Sequence, residues 1–147
     1  MDPFDPKAAL LAKHAQHVVL IHFPIGLFLA AVGFDFLSRI LRKPMLALVA
    51  YYNLMVAAIM CIPVLASGLL AWRLQLRGQP LKGLLLQHLL LGVCSTVLIW
   101  LVWWVHRRAA RTPGGGVPNY RLALEVAGAA CVALTAHLGG FLSGVSV

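Results

Sequence analysis

Residues 45–74 read MLALVAYYNLMVAAIMCIPVLASGLLAWRL, and no charged side chain occurs between Met45 and Trp72. A helix rising about 1.5 Å per residue crosses the ~30 Å hydrocarbon core of a bilayer in about 20 apolar residues, so this run is long enough to span. Outward from it the pattern repeats. Helices are expected over Gln16–Leu41, Met45–Leu74, Leu81–Arg107 and Asn119–Leu142, separated by Arg42-Lys43-Pro44, by Arg77-Gly78-Gln79-Pro80 and by Arg111-Thr112-Pro113 with the three glycines that follow. Short connections make sequential helices antiparallel neighbours. The expected fold is therefore all-α: an integral membrane, four-helix, up-down-up-down bundle over residues 16–147. Residues 1–15, with Asp2-Pro3 and Asp5-Pro6, form a tail or interfacial segment, and the first apolar run is too long for a cleaved signal core.

Composition supports the same solvent. The chain is 61% hydrophobic and 11% charged, with a mean hydropathy of +0.89, outside the range of water-soluble domains. Its net charge of +8 lies in the connectors rather than on one helical face, which favours lipid headgroups and argues against nucleic acid. Cys61, Cys94 and Cys131 each fall inside an apolar run without CxxC spacing, so they are expected as small packing residues.

An even number of spans puts both termini on one face, side A, together with the second connector. Side A carries Lys7, Lys13, Arg73, Arg77 and Lys82; side B carries Arg39, Arg42, Lys43, Arg107, Arg108, Arg111 and Arg121. The positive-inside rule then puts side B in the cytoplasm of a bacterial inner membrane and both termini in the periplasm. Trp100, Trp103 and Trp104 fit an interfacial belt at side B, and Trp72 fits one at side A.

Ionisable groups within a span are costly and mark function. His22, His88 and His137 fall about 6–10 Å below the side A boundary, with His17 shallower. Neutral imidazoles from facing helices ligate iron, copper or zinc, and two of them clamp a haem from both sides. Gly26, Gly92 and Gly140 follow His22, His88 and His137 at helical neighbour spacing. That room suits a flat macrocycle better than a compact ion, although small residues also serve plain helix packing. Arg73, Arg77 and Lys82 on the same side are candidates to meet haem propionates. His17 and His22 are five residues apart and diverge by about 140°, so they do not share one iron; the four histidines serve one haem b or two.

His14 and His106 are read as solvated interface residues. Asp35 has Arg39 four residues on, and Glu125 has Arg121 four residues back, so each acid is expected to pair locally.

The segment His17-Val18-Val19-Leu20-Ile21-His22-Phe23-Pro24-Ile25-Gly26, with Asp35 beyond it, and Leu138-Gly139-Gly140 near the end resemble the bacterial membrane family known as domain of unknown function 2231. That family opens on His-Pro-x-x-Val-His-Phe-Pro-Ile and tends to carry a histidine in its third helix, where His88 stands. Val18 replaces the proline usual after the first histidine, and the segment from Phe141 to Val147 is shorter than the family's ending. Some members are fused to Rieske iron–sulfur domains, so the resemblance implies electron transfer.

The sequence thus leads to a membrane b-type cytochrome, or the haem-carrying anchor of a larger redox complex. Its metal ligands are drawn from His17, His22, His88 and His137, with quinone, a periplasmic electron carrier or other redox subunits as partners. The alternatives are a non-redox assembly subunit and a copper- or zinc-binding membrane protein. No nucleophile-and-base arrangement or phosphate loop points to a stand-alone enzyme.

Overall fold

The computed structural model describes residues 15–112 and 117–143. Its helices are α1 (Ala15–Leu41), α2 (Pro44–Leu70), α3 (Gly83–Arg111) and α4 (Arg121–Leu142). All four are long and apolar enough to cross a membrane. Pro24 and Pro63 lie inside α1 and α2 without ending them. The expected tail, apart from Ala15, lies outside the described residues, as does the end of the chain beyond Ser143.

Local chemistry sets the breaks. Arg42 takes a positive φ of 51°, and the Lys43 amide bonds back to Ser38 O at 3.1 Å. Lys43 is extended, as a residue before proline must be, and Pro44 opens α2 where its missing N–H costs nothing. At side A, α2 loosens into one π-helical turn over Ala71–Gln75. Arg77 (φ 51°) and Gly78 (φ 63°) then reverse the chain through left-handed backbone. Trp72 Nε1 donates to Gln79 O at 2.9 Å and holds this corner together.

Each helix packs on its neighbours in a ring. The contacts are most extensive between α1 and α2, then between α3 and α4, and the seam between α4 and α1 is the sparsest. This is the expected up-down-up-down bundle. Its centre is built from Phe28 and Ala31, then Leu54, Ala57, Ala58 and Cys61, with Ile99, Val102 and Val132. Gly128 lets α4 approach α1, because a Cβ there would stand 2.7 Å from Phe28 Cζ. Outside, Phe23, Phe36, Ile59, Leu90, Val97 and Val126 are exposed. An apolar exterior around a partly polar interior is what lipid demands of a bundle whose backbone bonds are satisfied within each helix. Cys61 and Cys131 are buried, while Cys94 is on the exterior.

Candidate functional site

Polar side chains enter the bundle at two depths, one near each face. On side A, His17 belongs to the same stripe of α1 as buried Pro24, Phe28, Ala31 and Asp35. It is half-buried against α2, and its Nδ1 lies 2.9 Å from Ser67 Oγ. Ser67 already donates its hydroxyl hydrogen to Val64 O (2.9 Å), so Nδ1 carries a proton and donates to Ser67. His88 is half-buried against α4 and its Nδ1 donates to Thr135 O at 3.1 Å. Both rings are seated on glycine: a Cβ on Gly68 would meet His17 Cε1 at 3.0 Å, and one on Gly139 would meet His88 Cε1 at 3.1 Å.

His22 and His137 are exposed on the outer faces of α1 and α4. His22 Nδ1 donates to Val18 O one turn back (2.6 Å), and His137 packs edge-on against Phe141, with ring centroids 4.9 Å apart. Gly26 and Gly140 have open space where a Cβ would be, and Gly92 faces only Thr135 Cγ2 at 3.9 Å. The room beside the inner imidazoles comes instead from Gly68 and Gly139, each on the neighbouring helix. Arg73 and Arg77 lie exposed on side A, Arg73 in the π turn and Arg77 in the corner after it; Lys82 is exposed just before α3.

The second depth, near side B, is a buried ionic cluster, and it corrects two expectations. Asp35 does not pair with Arg39. Its carboxylate takes the guanidinium of Arg121 from across the α4–α1 seam, Nη2 to Oδ1 at 2.8 Å and to Oδ2 at 2.6 Å, with Nε to Oδ2 at 3.0 Å. Arg39 reaches Asn119 Oδ1 instead (3.3 Å). His106 is not solvated: it is 4% exposed, and its Nε2 donates to Glu125 Oε1 at 2.9 Å. The expected local pair of Glu125 with Arg121 is present, at 3.6 Å, beside the shorter bond from His106. Asp35 and Glu125 are each 1% exposed, and Glu125 Oε2 has no hydrogen-bond partner.

The physical reason is facing. Asp35 continues the buried stripe of α1, so it looks inward, whereas Arg39 is a turn nearer the boundary and reaches out along it. Among the described residues, Asp35, His106 and Glu125 are the one set of three ligand-type side chains whose donor atoms lie within 4.8 Å of one another. Arg121 already fills the Asp35 carboxylate, so the set reads as an ion-pair network before a metal centre.

Two further polar features link the depths. Ser95 and Thr135 share a hydroxyl hydrogen bond at 3.0 Å between α3 and α4, beside the carbonyl that holds His88. Toward side B, Arg107 lies 5.1 Å above the Trp103 ring and Arg108 5.5 Å above Trp104, an interfacial arrangement of cation and aromatic.

Compared with known proteins, residues 13–145 match the model of a family described as a predicted membrane protein, DUF2231. No curated protein and no solved structure matches the chain.

Proposed function

The chain belongs to the DUF2231 family of predicted membrane proteins, and from that footing we propose that it is an electron-relaying membrane subunit holding haem b at its side A histidine layer. One observation carries the reading. His17 and His88 each have Nδ1–H tied to an acceptor on the neighbouring helix of their hairpin. An imidazole fixed in that way keeps its lone pair on Nε2, the tautomer and orientation that metal-ligating histidines are given by their outer partners.

His17 and His88 would hold the haem, which would supply single-electron exchange when bound. The protein's part is to hold the rings. Ser67 and the Thr135 carbonyl set ring rotation, Gly68 and Gly139 allow each ring to lie against a helix backbone, and the apolar bundle excludes water. Exposed Arg73 and Arg77 on the same side offer guanidinium groups of the kind that meet carboxylates in paired hydrogen bonds. In this reading side B, with Arg42, Lys43, Arg107, Arg108 and Arg111, faces the cytoplasm of a bacterial inner membrane and both termini are periplasmic. Electrons then pass between quinone and a periplasmic carrier or a companion redox subunit.

The test is a reduced-minus-oxidised visible spectrum of the full chain purified in detergent from haem-replete cells, with a pyridine haemochrome assay. Sharp low-spin b-type bands at a fixed ratio to protein support the proposal. A colourless protein overturns it, and bound copper or zinc by elemental analysis would then replace haem as the occupant.

A further inference from the structure

The two hairpins of the bundle superpose in sequence register. Adding 71 to the residue number carries the buried positions of α1, Pro24, Phe28, Ala31 and Asp35, onto Ser95, Ile99, Val102 and His106, all buried in α3. The same offset carries Ala50, Leu54, Ala57 and Cys61 of α2 onto Arg121, Glu125, Gly128 and Val132, all buried in α4. A helix pair shifted at random matches one core stripe readily, since the stripe recurs every turn. Matching both helices with one offset is a stronger condition, because the connectors differ in length and α4 starts later relative to α3 than α2 does to α1.

The offset also lands on chemistry. Gln16-His17 falls on Gln87-His88, and Gly68 falls on Gly139. In each hairpin the imidazole rests on the glycine of the partner helix. Val64, whose carbonyl ends the chain His17 Nδ1 to Ser67 Oγ to Val64 O, falls on Thr135, whose carbonyl takes His88 Nδ1 directly. One imidazole reaches the equivalent carbonyl through a hydroxyl and the other without it. Around this device most side chains have diverged.

Resting on the haem reading above, we infer that the chain is a tandem duplication of one helical hairpin, and that His17 and His88, the equivalent histidines of the two halves, together hold a single haem. Both hairpins run from side A to side B and back, so the pseudo-two-fold axis between the halves lies along the membrane normal, the arrangement of parallel repeats. α1 and α3 are diagonal in the ring. One equivalent imidazole from each half makes a pair of like donors, the set that would hold a haem iron through two histidines. His22 and His137 lie outside it: the offset carries His22 onto Val93 and Ala66 onto His137, and both histidines face outward.

The experiment compares four full-length variants, His17→Ala, His88→Ala, His22→Ala and His137→Ala, by haem content and by electron paramagnetic resonance of the oxidised protein, with circular dichroism confirming helix content. The expected result is one haem per wild-type chain, a single bis-imidazole signal, loss of that signal in both His17→Ala and His88→Ala, and its retention in the other two. Exogenous imidazole restores low-spin bands to either alanine variant at the inner positions, which a variant that fails to fold cannot do. Methionine at position 17 or 88 should give His–Met spectra of the same kind from either end. Wild type with haem that survives both inner substitutions, or two haems per chain, overturns the pairing and leaves the cytochrome reading standing. Wild type without haem overturns both.

Discussion

Replacing Arg121 with methionine removes the cation from a site that water does not reach. Asp35 then loses three contacts of 2.6–3.0 Å, and Glu125 loses its secondary contact at 3.6 Å. Breaking one partner out of a buried ion pair costs about 3–5 kcal/mol, because the remaining charge stays desolvated. Replacing both partners with apolar side chains of similar size is close to neutral by the same argument. The single variants Arg121→Met and Asp35→Leu are therefore each expected to lose about 3–5 kcal/mol. The double variant is expected to recover most of that loss, since the Asp35 and Arg121 desolvation penalties vanish together, and to fall short of wild type by what Glu125 loses with its 3.6 Å contact. The measurement is reversible unfolding in mixed micelles of SDS and a mild detergent, followed by circular dichroism and treated as a double-mutant cycle. Additive losses in the double variant would refute the reasoning, as they mean that the two residues act independently. A loss below about 1 kcal/mol for Arg121→Met would refute the burial argument itself, placing the pair among exposed ones.

Gly128→Ala brings a methyl to 2.7 Å from Phe28 Cζ and should cost about 1–3 kcal/mol through overpacking, whereas Gly33→Ala, which meets open space, serves as a near-neutral control in the same unfolding assay. His106→Leu leaves Glu125 Oε1 with Arg121 alone at 3.6 Å and should destabilise by about 3–5 kcal/mol, with partial recovery on adding Glu125→Leu. Under the haem proposal, Ser67→Ala removes the acceptor of His17 Nδ1 and should weaken haem retention by about 10–100-fold, read by haem transfer to apomyoglobin; unchanged retention would argue that Ser67 does not set the ligand. Gly68→Ala and Gly139→Ala crowd His17 and His88 at 3.0 and 3.1 Å and should each shift or broaden the low-spin bands, with similar effects from the two positions.

The spans were legible because the requirement that lipid imposes is one of length and composition. Met45 to Leu74 was expected as one helix, and the chain forms α2 from Pro44 with its π turn reaching Gln75. The partners within the bundle were less legible. Four-residue spacing tells which side chains share a face of their own helix, and from that Asp35 was assigned to Arg39. It does not tell which neighbouring helix that face meets. A signal was present in the register: Asp35 stands at the spacing of Phe28 and Ala31, which points it inward where a lone carboxylate needs a cation from another helix. The glycines illustrate the same limit. Those on the histidines' own helices were chosen for proximity along the chain, while the ones that touch imidazoles are Gly68 and Gly139 across the hairpin contacts. Its neighbours Arg107 and Arg108 make His106 read as an interface residue, yet those two turn to Trp103 and Trp104 and leave the histidine facing Glu125.

The clasp between Asp35 and Arg121 also orders the making of the protein. Ribosomes deliver α1 first and α4 last, so Asp35 enters the bilayer well before its cation has been synthesised. Until Arg121 arrives, the nascent protein keeps an unmatched acid near the cytoplasmic boundary of the proposed topology, and the α4–α1 seam has nothing polar to fasten it. The last helix therefore closes the ring and cancels the charge in one event. A product truncated before Tyr120 lacks the cation for Asp35, and its half-life in a pulse-chase is expected to be shorter than that of the full chain.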